Sequence, residues 1–206
     1  MGQMARQKPG DKTGTLIICC GAVAREIIAM IDANGWDDMR VDCLPAHLHN
    51  DPGRIPEGVR RKIRANRDLC ERIVVLYSDC GTGGQLEDML NEEGVESIKG
   101  AHCYEVFAGA DTFAAMMKAE PGSFILTDFL TQHFERLVVK GLGLDRYPEL
   151  RSTYFGKYKK LVYLAQSDDL ALKAKAEAAA ETLGLEFEMR FTGYGDFEKF
   201  LREQRR

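Results

Sequence analysis

The sequence predicts an α/β protein, a Rossmann-like three-layer sandwich with a mostly parallel sheet and helices on both faces. Three observations lead there. Short apolar runs rich in Val, Ile and Leu, such as TLIIC at 15–19 and RIVVLY at 72–77, recur along almost the whole chain. Between them lie segments whose apolar residues return at helical spacing. The links are short, and strand–helix–strand units joined in this way take right-handed crossovers and cover both faces of a parallel sheet. A closed eight-unit barrel normally needs a chain longer than 206 residues.

The elements follow in order. Thr15–Cys19 reads as a buried strand and Ala22–Asn34 as a helix stopped by Gly35. Arg40–Cys43 is a second strand, and Pro56–Cys70 a helix with proline at its start. Arg72–Tyr77 is the clearest strand, followed by a helix over Gln85–Glu92. Val95–Lys99 is a short strand, and Tyr104–Met117 reads as largely helical. Ser123–Leu126 and Leu161–Leu164 are further strands with helices behind them. Asp128 reads as the cap of the first of those helices and Asp168 as the cap of the second. Leu185–Arg190 and a helix near Asp196–Arg202 end the chain. Residues 1–13 are polar and read as a disordered tail, and 14–206 as a single α/β domain. An irregular, glycine-containing insert at about 141–159 interrupts it, with Tyr147, Tyr154, Phe155 and Tyr158 as a possible contact surface.

Composition narrows the partners. The formal net charge is −4 with 45% hydrophobic residues, which excludes a general nucleic-acid binder. The one basic cluster, Arg60, Arg61, Lys62, Arg64 and Arg67, has the spacing of a solvated helix face. No apolar run is long enough for a membrane span, and no export signal is visible, so a cytoplasmic protein with reduced cysteines is expected.

Chemistry is expected beyond the carboxyl ends of the strands, where open parallel sheets bind ligands. Each of the first four strands delivers a cysteine there: Cys20, Cys43, Cys80 and Cys103. Thiolates select zinc, copper(I) or iron–sulfur clusters. Cys43, Cys80 and Cys103 form the expected ligand core, with Cys20, His47, His49 or His102 as a fourth. Of the pair Cys19–Cys20, strand alternation sends one side chain into the core, and Cys20 is assigned to the site. The plain alternative is that buried cysteines act as small hydrophobes, and Cys70 is read that way. Gly81, Thr82, Gly83 and Gly84 form a turn whose backbone can approach a bound phosphate or carboxylate. The same residues also suit a tight strand-to-helix turn. His102 stands beside Cys103 as an activating base, with Glu105 as base or supporting carboxylate.

The runs ICCGAVAREI, CLPAHLHNDPGRI, VVLYSDCGTGG, GAHCYEVFAG, LTDFLTQHF, GLGLDRYPELRSTYFG and VYLAQ together resemble the uncharacterised domain-of-unknown-function family 1638, from about Leu16 to Tyr194. That resemblance carries no residue roles. It implies an anaerobic setting, in methanogens and anaerobic bacteria, alongside corrinoid-dependent methyltransferases. The expected function is therefore a thiolate-rich zinc or iron–sulfur protein, either an enzyme of methyl-transfer and one-carbon metabolism or its accessory. Its partners would be a small molecule and a corrinoid protein or methyltransferase. A metal-free cysteine acid–base enzyme using Cys80 and Cys103, and a non-catalytic binding module, are the alternatives.

Overall fold

A computed structural model describes Lys12 and residues 14–205, so the expected tail falls almost wholly outside the described residues. The chain divides into two compact units, Met1–His102 and Cys103–Arg206. The described strands form two parallel sheets, one in each unit, in place of one continuous sheet.

The first unit runs β1 (Thr15–Cys20), α1 (Ala24–Asn34), β2 (Met39–Leu44), α2 (Ile55–Asn66), β3 (Arg72–Leu76), α3 (Gln85–Glu93) and β4 (Glu96–Ser97). Its strand order is β2-β1-β3-β4. β1 is the central strand with all six residues buried, which is why its sequence is apolar without alternation. Chain order reverses at β1: the first crossover leads to β2 on one side and the next carries the chain back to β3 on the other. Right-handed crossovers then place α1 on one face and α2 with α3 on the other. Arg60, Arg64 and Arg67 of the basic cluster pair with Glu92 and Glu93 of α3, while Lys62 pairs with Asp42.

The second unit runs α4 (Cys103–Ala108), α5 (Ala110–Ala119), β5 (Ser123–Leu126), α6 (Asp128–Gln132), α7 (Leu150–Phe155), β6 (Lys160–Ala165), α8 (Leu170–Leu183), β7 (Glu186–Phe191) and α9 (Asp196–Glu203). Its order, β5-β6-β7, shows no reversal. Alternation along β6 divides the core into two layers. Leu161, Tyr163 and Ala165 pack with Leu172 and Ala176 of α8, whereas Val162 and Leu164 pack with Met116 of α5. Helices therefore cover both faces, and the three-layer α/β class holds.

Several local expectations need correction. The single helix expected over 104–117 breaks at Gly109, whose φ of +80° cannot continue a right-handed helix. Thr127, and not Asp128, caps α6, with its hydroxyl accepting from Leu130 N. Asp169, and not Asp168, caps α8, accepting from Ala171 N and Leu172 N. The strand expected at 95–99 shortens to Glu96–Ser97. Within the insert, Phe155 is buried and sets its ring edge against Phe124 of β5, while Tyr147 and Tyr154 stay exposed.

Candidate thiol–imidazole site

The order reverses in the first unit between β1 and β3, and the carboxyl ends of these strands are the usual ligand position in such a sheet. Cys20 ends β1, and Tyr77 follows β3. Cys19 is registered with Cys43 on β2 and with Leu76 on β3. Alternation therefore turns Cys19 and Cys20 to opposite faces. Cys19 is fully buried; burial, then the neighbouring Cys43, pushes its thiol titration far up. Cys20 is raised more moderately by burial, against the Ala22 N–H at 3.3 Å and the Tyr77 side chain, which favour its thiolate.

His49 comes from a 3-10 turn, Ala46–Asn50, that the extended Pro45 starts. Its Nδ1 lies 2.7 Å from the Ala46 carbonyl oxygen. A carbonyl can only accept, so Nδ1 carries the hydrogen and the neutral ring keeps its lone pair at Nε2. The ring stacks on Tyr77, with centroids 6.0 Å apart and planes at 19°. Cys20 Sγ is 3.9 Å from Nδ1, and the Cys80 side chain hydrogen-bonds to the ring. That bond to Cys80 raises the imidazole's pKa first of all; burial opposes it and the Ala46 carbonyl assists.

Cys80 has a φ of +49° and is the one non-glycine residue with positive φ among the described residues. That conformation costs a residue with a Cβ about 1–2 kcal/mol. It is held by the backbone, since Asp79 N donates to Gly100 O at 3.0 Å and Cys80 N to Ala101 O at 2.8 Å. The Asp79 carboxylate accepts from the Thr82 hydroxyl at 2.5 Å, Gly84 N at 2.8 Å and Gly83 N at 3.2 Å. Gly81 N adds a further bond to the same group. Burial acts against ionisation of Asp79, but these donors outweigh it and hold the carboxyl below its ordinary range. The turn expected to cradle a ligand anion thus holds the protein's own carboxylate.

The remaining expected residues lie on β2, on the turn with His49, and after Ala101, whose carbonyl accepts from Cys80 N. Cys43 is exposed on β2 and shares the register, and hence the face, of Cys19. His47 is exposed on the turn that carries His49. His102, half-buried, ends the first unit; Cys103 and Glu105, also half-buried, lie on α4 of the second. Cys70 is buried beside the Arg40 guanidinium, Nη2 to Sγ 3.0 Å. Zinc or an iron–sulfur cluster would be held by thiolates and imidazole, and Cys20, Cys80 and His49 are donors of that type. Among the described residues, however, no three His, Cys, Asp or Glu side chains are grouped as an ion requires. Tyr77 and Asp79 were not foreseen as parts of the site. The signal for Asp79 was present: an Asp three residues before Thr at a glycine turn is an Asx-type cap.

At the carboxyl ends of β5 and β6, the second unit has a different arrangement. Asp128 is buried, and its Oδ1 accepts from Tyr163 Oη at 2.7 Å and Gln166 N at 3.0 Å. Its Oδ2 accepts from Ser167 N at 3.0 Å and Ser167 Oγ at 2.5 Å. Burial, then Asp128, pushes the Tyr163 phenol far above its ordinary range. A separate open cavity of about 390 Å³, lined in part by Phe107, Met116, Leu164 and Thr192, contains no Cys or His.

A family model described as a protein of unknown function, DUF1638, matches residues 43–201. The chain belongs to this family. In this DUF1638 protein the matched span includes His49 and Cys80, while Cys20 precedes it. No curated protein matches. Among solved structures, ornithine carbamoyltransferase from Pyrococcus furiosus aligns at 13% identity, with a TM-score of 0.24, over 86% of this chain and 54% of that one. The DUF1638 chain thus spans about half the length of the solved structure that it matches. Among the described residues no helix is long and apolar enough to cross a membrane.

Proposed function

We propose that the first unit is a cysteine-dependent catalytic domain in which Cys80 is the nucleophile and His49 its general base. The observation that carries this reading is that the Cys80 side chain lies within bonding reach of the His49 imidazole, whose Nδ1 is fixed by the Ala46 carbonyl oxygen at 2.7 Å. This is the nucleophile, base and orienting group of covalent catalysis, with a backbone oxygen as the third member. His49 Nε2 takes the thiol proton, and the Ala46 oxygen stabilises the resulting imidazolium. The left-handed backbone at Cys80 resembles other strand-to-helix nucleophile turns in presenting the side chain at the carboxyl end of the sheet.

The same turn restricts the reaction. Acyl transfer needs donors aimed at a developing oxyanion. Here Gly81, Gly83, Gly84 and Thr82 all donate to Asp79. Displacement at saturated carbon or at sulfur has no tetrahedral oxyanion to stabilise, so it suits this site better. In such a displacement the Cys80 sulfur forms the new bond and the leaving group takes the electron pair; the proton on His49 then passes to a basic leaving group or, where the leaving group is a metal centre, to water. Methyl transfer falls in this class, and a corrinoid protein or methyltransferase is the partner we propose for it.

The test is alkylation by iodoacetamide, mapped by mass spectrometry. Cys80 is expected to label ahead of the exposed Cys43, and His49→Gln to slow Cys80 on the order of a hundredfold. If Cys80 labels no faster than Cys43, the reading fails. Metal content after anaerobic purification is the companion measurement. Stoichiometric zinc or iron that is lost in both Cys20→Ser and Cys80→Ser would replace the reading with a metal thiolate centre.

A further inference from the structure

Five cysteines lie in the first unit, and their placement separates them. Cys19 is buried on the face opposite Cys20, in register with Cys43. Cys70 lies just before β3, beside Arg40 near the start of β2, and so at the amino ends of the strands. Only Cys20 shares an imidazole with Cys80: its sulfur is 3.9 Å from His49 Nδ1, and Cys80 hydrogen-bonds to the same ring. Cys20 ends a rigid central strand with 5% of its surface exposed. Cys80 sits on a glycine-flanked turn, half-buried and in a strained backbone conformation. One thiol is thus sheltered at a strand end and the other is half-buried on a turn, with the same imidazole beside both.

We propose that Cys20 is the resolving thiol for Cys80, which makes the site a two-cysteine thiol–disulfide exchange centre acting on a small-molecule disulfide. The proposal rests on Cys80 being the nucleophile and commits the displacement to sulfur. In the first step the Cys80 thiolate attacks one sulfur of R–S–S–R. The Cys80–S–R bond forms, the substrate S–S bond breaks, and the released R–S⁻ takes the proton from His49. In the second step the Cys20 sulfur attacks Cys80 Sγ, and the Cys20 proton passes to the departing R–S⁻. The Cys20–Cys80 disulfide forms and a second R–SH leaves. The substrate disulfide is reduced to two thiols while the protein pair is oxidised, and no other oxidant enters. Burial favours the neutral Cys20 thiol, so Cys20 waits for the mixed disulfide and does not compete for substrate.

Forming the bridge requires Cys80 to turn toward Cys20. Gly81, Gly83 and Gly84 have positive φ, and a side chain at Gly83 or Gly84 would meet no atom within contact distance, so the bonds to Asp79 and to the Gly100 and Ala101 carbonyls are what hold the turn. Release of Cys80 from its left-handed conformation would favour closure onto Cys20.

The test is reaction of the reduced full-length chain with 2-hydroxyethyl disulfide, followed by intact mass and non-reducing peptide mapping. Wild type is expected to lose two hydrogens and yield a peptide pair linked through Cys20 and Cys80. Cys19→Ser should keep that bridge. Cys20→Ser and Cys20→Ala should lose it and accumulate one hydroxyethylthio adduct on Cys80. Wild type accumulating the same lasting adduct as Cys20→Ser would overturn the resolving role while leaving Cys80 as nucleophile. No adduct on Cys80 in any variant would overturn both.

Discussion

The carboxyl ends of the two sheets are built from the same kind of strands and serve different ends. In the first unit the strand order reverses at β1, and the strand end and loops there carry soft, titratable groups: Cys20, His49 and Cys80. In the second unit the order β5-β6-β7 never reverses; a buried carboxylate with four donors closes the ends of β5 and β6, while the open cavity of about 390 Å³ lies at the ends of β6 and β7. Asp128 satisfies its lone pairs with a phenol, a hydroxyl and two backbone N–H groups, and so locks the loops after β5 and β6 together. Where crossovers part, loops separate and leave room for a ligand; at Asp128 the loops after β5 and β6 pack and polar groups satisfy one another. Residue type decides together with topology which sheet end can react, since the cavity at the ends of β6 and β7 is lined by no Cys or His.

This contrast is broken most severely at Asp128. Asp128→Ala would strand Tyr163 Oη, Ser167 Oγ and two backbone donors in a buried setting. Each unsatisfied group costs about 1–3 kcal/mol, partly relieved by relaxation, so a loss of about 3–5 kcal/mol is expected. Urea denaturation followed by circular dichroism measures it. Well below the unfolding transition, the alkylation rate of Cys80 should stay unchanged. A loss under about 1 kcal/mol would show that the network does not lock this end.

How far the two ends could be read in advance follows from the same physics. The α/β class came from hydrophobic period, which the sheets reproduce almost strand for strand. Alternation separated Cys20 from Cys19, because one residue's shift along a strand reverses the face, but it does not say which of the two faces the site. Nothing in the local pattern separates His47 from His49, since both sit in one short 3-10 turn and only tertiary packing on Tyr77 distinguishes them. The division into two sheets was equally hidden: no composition change marks residue 102, and strand pairing is a long-range choice. Asp128 looked like a cap because Thr-Asp before a helix offers two candidates for one position, and Thr127 fills it while the Asp128 carboxylate accepts from Tyr163, Gln166 and Ser167.

A smaller effect, of opposite sign, is expected at Cys80. Replacing it with glycine removes a left-handed non-glycine residue, worth about 1–2 kcal/mol. Glycine's added freedom in the unfolded chain returns about 0.4–1 kcal/mol of that. Cys80→Gly should therefore be more stable by about 0.5–1 kcal/mol in urea titrations while losing the fast alkylation site altogether. Greater stability without reactivity marks a residue held in strain for its chemistry. Lower stability would mean that Cys80 is kept by its contacts.

The finest distinction is drawn by pH, because His49 and Asp79 lie on opposite sides of neutrality and titrate with opposite consequence. The imidazole is raised above its unfolded value of about 6.5. Its stabilising contribution is complete below that value and fades as pH rises through the folded one. The Asp79 carboxyl is lowered from about 3.9. Its contribution is complete above that value and fades as pH falls through the folded one. Both groups are partly open to water, so solvent screening keeps the effects modest. Relative to wild type, His49→Gln should show its deficit in urea midpoint on the acid side and converge above neutrality. Asp79→Asn should show its deficit from neutrality down to mild acid and converge only in strong acid. Parallel pH curves for the two variants would mean that imidazole and carboxylate are not held as separate charges, and the division between a reactive pair and a turn filled by its own carboxylate would fail with them.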